Sequence, residues 1–232
     1  MFQFKQFVIH QQHSPMKVGT DGVLLGAWAE IEPTDLHILD IGTGTGLIAL
    51  MAAQRAPQAQ VVGVDVEPLE DATRNASLSP WSDRIRFVHT PIQEFAPTER
   101  FERILSNPPF FTDSLTCPDA GRTTARHAVQ LSFEELRDAV LRLLTPEGRF
   151  SVVLPTTEVD RFLRCCDGWL ALRRRTDVQT VPRRPAKRCL LEFSRPAAGD
   201  TLIFSCLAVG TGEQEQYTLE YRALTCDFYL KF

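Results

Sequence analysis

The feature that most constrains this chain is Asp40-Ile41-Gly42-Thr43-Gly44-Thr45-Gly46, three glycines at alternate positions between an apolar run and a helical pattern. Leu36 to Ile41 reads as a buried strand, and Leu47, Ile48, Leu50, Met51 and Ala53 recur at helical spacing up to Pro57. Glycines where a strand passes into a helix let the backbone approach a ligand with no Cβ in the way. A second strand, Gln60 to Asp65, ends in a carboxylate that can accept hydrogen bonds from both hydroxyls of a ribose.

The alternation continues. A helix is expected from Glu67 to about Leu78, with Pro68 in its first turn, then strands at Ile85–His89 and Phe101–Ser106. Phe133 to Leu144 is amphipathic, with Ser132 as N-cap and Pro146-Glu147-Gly148 as its end. A strand at Arg149–Leu154, a helix at Thr157–Cys166 and β-like runs near Leu170–Val178, Arg188–Phe193 and Leu202–Leu207 complete the pattern. The expected fold is α/β and Rossmann-like, with a mostly parallel central sheet, helices on both faces and antiparallel strands at the C-terminal end. With 232 residues and no dividing linker, one domain is expected over 1–232. Within it, 1–35 is an N-terminal extension, 36–155 the ligand-binding and catalytic half, and 156–232 a β-rich half. The loop from Asn107 to Gln130 is longer than loops usually are, which marks it as functional or mobile.

Composition adds exclusions. Hydrophobic residues at 44% and charged residues at 23% exclude a disordered or collagen-like chain. No apolar run is long enough for a membrane span, and Met1–Lys5 does not open a secretory signal, so a cytoplasmic location is expected. The cysteines Cys117, Cys165, Cys166, Cys189, Cys206 and Cys226 lack C-x-x-C spacing. They are expected to be reduced, mostly buried thiols with no metal site.

A dinucleotide fingerprint, G-x-G-x-x-G/A, would need a small residue where Leu47 stands, and no Lys-Ser/Thr pair follows to form a triphosphate loop. The observed G-x-G-x-G behind Asp40 resembles motif I of the Rossmann-like S-adenosylmethionine (SAM) methyltransferases. Asp40, Gly42, Gly44, Gly46, Asp65 and, further along the chain, Asn107 are then the expected cofactor residues. The strand at Phe101–Ser106 ends in Asn107-Pro108-Pro109-Phe110-Phe111, outside the carboxyl end where ligands of such sheets bind. The two prolines stiffen the backbone, so that the Asn107 side-chain oxygen and the Pro108 carbonyl can accept both hydrogens of one NH₂ group, with Phe110 stacking on a flat ring. Two acceptors localise the amine lone pair and stabilise the charge that develops on nitrogen. Asn-Pro-Pro-Phe resembles the motif of methyltransferases acting on planar nitrogens: adenine N6, guanine N2 and glutamine N5.

The net charge is −4, but Arg164, Arg173, Arg174, Arg175, Arg183, Arg184, Lys187 and Arg188 face only Asp167 and Asp177 within their segment. An acidic body with a basic patch suits a phosphate-rich partner, although a solvated surface strand has the same composition.

Further segments carry a closer likeness. Phe2-Gln3-Phe4-Lys5-Gln6-Phe7, Met16 to Trp28, Asn107 to Phe111, Ala125-Arg126-His127 and Phe228-Tyr229-Leu230, in this order, resemble the bacterial tRNA (adenine-N6)-methyltransferases. That family modifies the adenosine just 3′ of the anticodon of a valine tRNA. The resemblance implies that Lys17, Thr20 and Asp21 lie by the methionine end of SAM, Asp21 otherwise capping a helix that starts near Gly22. It implies that Asn107, Pro108, Pro109 and Phe110 hold the target base, and that Arg126 and His127 meet RNA phosphate. The acidic residue that often binds the SAM adenine amine is replaced by Thr90-Pro91-Ile92-Gln93, which leaves Gln93 or a backbone group for that contact. Arg173, Arg174, Arg175, Arg183, Arg184, Lys187 and Arg188 then become a tRNA-binding surface. Phe4, Phe7 and Phe111 are core aromatics or base-stacking groups. The implied protein is a monomeric SAM-dependent enzyme acting on tRNA. The alternatives are another planar amine, in ribosomal RNA, DNA or protein.

Overall fold

A computed structural model describes residues 1–108, 131–197, 201–214 and 216–232. The chain opens with a small hairpin, β1 (Phe2–Gln3) and β2 (Val8–Ile9), followed by α1 (Thr20–Trp28). Then come β3 (His37–Ile41), α2 (Leu47–Arg55), β4 (Gln60–Asp65), α3 (Glu70–Ser77), β5 (Ile85–His89) and β6 (Phe101–Ser106). The second half holds α4 (Phe133–Leu143), β7 (Leu144–Pro155), α5 (Thr156–Cys166), β8 (Ala171–Gln179), β9 (Arg188–Ser194), β10 (Ile203–Ala208) and α6 (Leu219–Thr225).

Eight strands form one sheet in the order β10-β8-β9-β7-β6-β3-β4-β5. β9 is antiparallel to both its neighbours, and every other pairing is parallel. The antiparallel end expected from the sequence is therefore a single reversed strand, with β10 parallel to β8 beyond it. Side chains alternate across the pleat into two cores. Ile38, Leu105, Val153 and Leu190 join the layer of α1 and α2, while Leu39, Ile104, Val152 and Leu191 join the layer of α4 and α5. Burial on both faces explains why apolar residues stand side by side in these strands, as at Ile104-Leu105, Val152-Val153 and Leu190-Leu191.

Local chemistry sets the helix ends. Ser132 and Glu135 form a reciprocal capping box on α4. α3 starts at Glu70, three residues after its expected start, because the Glu67 N–H donates to Asp65 Oδ1 and keeps Pro68 in the preceding turn. β7 starts at Leu144, ahead of Arg149, and Pro146-Glu147-Gly148 forms an irregularity between the pairs Phe101–Leu144 and Arg103–Arg149. α1 begins at Thr20 with Gly19 as N-cap and no side-chain cap, so Asp21 does not cap it.

The hairpin and α6 are absent from the sequence reading. They join through aromatic contacts: the Phe4 ring stacks on Phe7 at a centroid distance of 4.7 Å and lies 4.8 Å from Phe2 and 5.8 Å from Tyr229. Phe4 and Phe7 are buried, which removes them as base-stacking groups, and Phe111 lies outside the described residues. Of the cysteines described, Cys166 and Cys189 are buried, Cys165 and Cys226 half-buried and Cys206 exposed, so burial is less general than expected; Cys117 lies outside the described residues. Among the described residues no helix is long and apolar enough to cross a membrane.

Candidate functional site

Parallel strands end on one edge of the sheet. β3 delivers Gly42 there, β4 delivers Asp65, β6 delivers Asn107 and β7 ends at Pro155, which pairs with Arg188 at the start of β9. This edge is where open α/β sheets bind ligands.

The turn after β3 has φ of 73° at Gly42, 53° at Gly44 and 79° at Gly46, the left-handed region that glycine adopts at least cost. A Cβ on Gly42 or Gly44 would meet nothing within 4 Å, so open space borders the turn at both. Gly46 differs, because a Cβ there would lie 2.9 Å from Phe87 and 3.4 Å from Ala72. Its small size serves packing under the turn. The Gly44 N–H donates to Asp65 Oδ2 at 2.8 Å, which joins the two sequence motifs directly.

Asp40 is fully buried beneath the turn. Its Oδ2 accepts from Thr43 Oγ1 at 2.6 Å and from the Ala49 N–H at 3.2 Å, while its buried Oδ1 has no hydrogen-bond partner. Burial pushes the carboxyl up to about 7, opposed by the Thr43 and Ala49 bonds and assisted by Asp65. A buried carboxylate with one oxygen unmatched is suited to a cation. The ammonium of SAM is such a cation, so Asp40, with open space at Gly42 and Gly44 and the Asp65 carboxylate, fits that cofactor.

Asn107 is half-buried and Pro108 buried. Ser106 Oγ, just before them, donates to the Ile41 carbonyl at 3.0 Å and clamps the end of β6 to the end of β3. A Cβ on Gly22 of α1 would lie 3.2 Å from Leu47 and 3.9 Å from Asn107 Nδ2. The start of α1 therefore lies against both the start of α2 and Asn107. Pro109, Phe110, Arg126 and His127 lie outside the described residues.

Several expected site residues have other partners. Lys17 Nζ donates to the Gln11 carbonyl at 2.6 Å and the Ser14 carbonyl at 3.0 Å, fastening the N-terminal segment, and Thr20 is exposed at the start of α1. Asp21 Oδ2 accepts from Arg188 Nε at 2.7 Å, so a residue expected at the cofactor and one expected at RNA form one ion pair on the ligand edge. Gln93 is exposed and its side chain bonds Glu135. The Ser132 backbone N–H first, and Gln93 second, hold the Glu135 carboxyl below its usual range.

The basic segment divides. Arg174 Nη2 donates to Glu192 Oε2 at 3.0 Å and to the Trp28 carbonyl at 2.8 Å, and its guanidinium lies 3.8 Å from the Trp28 ring centroid. Arg175 Nε donates to Asp177 at 2.7 Å and Arg173 Nε to Ser194 Oγ at 2.7 Å. Arg174 is thus tied to the sheet and to the end of α1 by its own bonds. Arg183, Arg184 and Lys187 are exposed in the loop from 180 to 187. This loop joins the end of β8 to the start of β9 on the ligand edge.

Residues 19–155 match the model of the methyltransferase small domain family. The chain is 44% identical over 231 residues to a tRNA1(Val) (adenine(37)-N6)-methyltransferase of Phocaeicola vulgatus, which covers 99% of this chain and 97% of that relative. It is 42% identical over 234 residues to the protein of the same description in Vibrio parahaemolyticus, covering 99% and 95%. A solved structure of a predicted O-methyltransferase from Agrobacterium tumefaciens superposes with a TM-score of 0.67 over 90% of this chain and 96% of that one, at 19% identity. That likeness shows the Rossmann-like methyltransferase fold. Identity above 40% across nearly every residue goes further than fold: the chain belongs to the tRNA1(Val) (adenine(37)-N6)-methyltransferase family.

Proposed function

We propose that this protein transfers a methyl group from SAM to the exocyclic N6 of adenosine 37 in a valine tRNA. The observation that carries the reading is the position of Asn107, at the end of β6 and beside the first turn of α1, on the same edge as the glycine turn. Full-length identity to relatives described by that activity supports the substrate. SAM, when bound, supplies a sulfonium methyl that is already electrophilic.

The chain's own residues have separable tasks. Asp40, buried beneath the turn, holds Thr43 Oγ1 and the Ala49 N–H, and the cofactor's positive charge above it favours the ionised carboxylate against its burial. Gly42 and Gly44 leave room for the cofactor at the turn, and Asp65 accepts from the ribose hydroxyls. Asn107 Oδ1 and the Pro108 carbonyl accept the two N6 hydrogens, orient the lone pair and stabilise positive charge on nitrogen as the bond forms. No strong base is needed at that stage, because the alkylated nitrogen is acidic and releases its proton afterward. Pro109 and Phe110 complete the base site in this reading.

Arg183, Arg184 and Lys187 neutralise phosphates around the target nucleotide. An anticodon-loop base is partly unstacked already, so presenting it costs less than extrusion from a duplex. All assigned residues come from one chain, and the reading is of one monomeric domain acting in the cytoplasm.

The test is Asn107→Ala. Cofactor Kd stays within about threefold, while kcat for tRNA methylation falls by roughly 10²–10³, the usual cost of one lost transition-state hydrogen-bond partner. Undiminished turnover would defeat the assignment.

A further inference from the structure

Three stretches far apart in sequence meet on one buried amide. Asn75 of α3 is 1% exposed. Its Oδ1 accepts from the His10 N–H at 2.7 Å, and its Nδ2 donates to the His10 carbonyl at 2.8 Å and the Thr45 carbonyl at 2.9 Å. Both amide hydrogens are used, each on a main-chain oxygen.

The rest of α3 reinforces the same contacts. Ala72, three residues earlier and so on the same helix face, packs where a Cβ on Gly46 would stand. Asp71 holds the N-terminal segment that Asn75 also holds. Its Oδ2 accepts from the His13 N–H at 2.8 Å, the Ser14 N–H at 2.7 Å and Ser14 Oγ at 2.9 Å.

Thr45 lies inside the glycine turn. With glycine at 42, 44 and 46, the turn has few side chains with which to fix its own peptide planes, and hydrogen bonds must do so. Asp65 fixes the Gly44 N–H, and the Thr43 carbonyl accepts from the Gly46 N–H at 2.8 Å. Asn75 fixes the Thr45 carbonyl. That carbonyl and the Gly46 N–H belong to one planar unit, so Asn75 sets the last peptide of the turn before α2 begins.

We propose that Asn75 is a positioning residue for the cofactor-binding turn, acting through the Thr45 carbonyl and tying the turn to residues 10–14. The proposal rests on the cofactor assignment above and adds a residue that meets neither substrate. Loss of the amide leaves buried carbonyls unmatched, and the turn gives up its preformed shape to satisfy them.

The experiment measures binding of S-adenosylhomocysteine by calorimetry, without RNA, to the full chain and its variants. Asn75→Ala weakens binding by about tenfold, the equivalent of one buried hydrogen bond, while kcat at saturating cofactor stays within about threefold. Asn75→Asp keeps the acceptor for His10 but sets an oxygen against two carbonyls, and weakens binding further. Asp71→Ala loosens the N-terminal segment, leaves the Asn75–Thr45 bond in place and keeps the wild-type Kd. Asn75→Ser retains a single donor and is judged by the same criterion where the alanine variant does not fold. Wild-type affinity in a folded Asn75 variant overturns the proposal, as does an equal loss in Asp71→Ala. Wild-type protein that binds S-adenosylhomocysteine but methylates no RNA would contradict the proposed function and leave this result readable.

Discussion

The two halves of the basic segment use one residue type in opposite ways. Arg173, Arg174 and Arg175 stand in β8, an interior strand between β9 and β10, where each meets a partner from the sheet: Ser194, Glu192 and Asp177. Arg183, Arg184 and Lys187 stand in a loop whose backbone is pinned from within. The Lys187 N–H donates to the Val178 carbonyl at 3.0 Å, the Thr156 N–H to the Lys187 carbonyl at 3.2 Å and Thr156 Oγ1 to the Ala186 carbonyl at 2.9 Å. Arg183 has φ of 67°, the one non-glycine positive value among the described residues, and sits between Pro182 and Pro185. Backbone position separates the roles. Inside a sheet an arginine is taken up by neighbours in its own or the adjacent strand, whereas on a pinned loop its charge faces solvent on the ligand edge.

Removing Arg174 should produce the largest effect. Glu192 is nearly fully buried and takes three donors on Oε2: Arg174, Ser151 Oγ and the Glu30 N–H. Arg174→Ala leaves that carboxylate without its cation and should cost about 3 kcal/mol in urea unfolding. A loss under about 1 kcal/mol would return Arg174 to the surface class and erase the division.

The triple variant Arg183→Ala, Arg184→Ala, Lys187→Ala should act on RNA alone. Unfolding stability stays within ~0.5 kcal/mol, as for ordinary surface changes. The slope of log K for tRNA against log salt flattens by about 2, close to 0.7 per lost phosphate contact on single-stranded RNA. An unchanged slope would make the loop plain surface.

The smallest effect falls on the boundary between the halves. Arg188 begins β9 and pairs with Asp21, both partly exposed. Arg188→Ala should cost below about 1 kcal/mol of stability, the range of exposed ion pairs. If Arg188 belongs with Asp21, the salt slope does not move; a slope that flattens by about 0.7 places it with the loop cations instead.

The sequence made legible whatever depends on neighbours in the chain. Gln60–Asp65, Ile85–His89 and Phe101–Ser106 are strands with the expected limits, since each gathers β-branched or aromatic residues into a short run beside turn residues. The Ser132 cap was readable for the same local reason. Partners supplied by sheet order were not readable. Arg174 reaches Glu192 because β8 lies beside β9, and Asp21 reaches Arg188 because α1 packs near the start of β9. Gly46 looked like Gly42 and Gly44 until Phe87 was placed beneath it. Asn75 carried only a faint signal: it is a short polar residue of a kind that helix interiors disfavour, and its role depends on His10 and Thr45 arriving from elsewhere.

The central claim is methylation of a tRNA adenine at N6. The direct measurement is transfer of labelled methyl from SAM to total tRNA from a strain lacking this protein, followed by nucleoside mass spectrometry and mapping of the label. The account predicts a new N6-methyladenosine at position 37 of a valine tRNA. Label in protein or ribosomal RNA with none in tRNA would keep the fold and the cofactor and contradict the substrate.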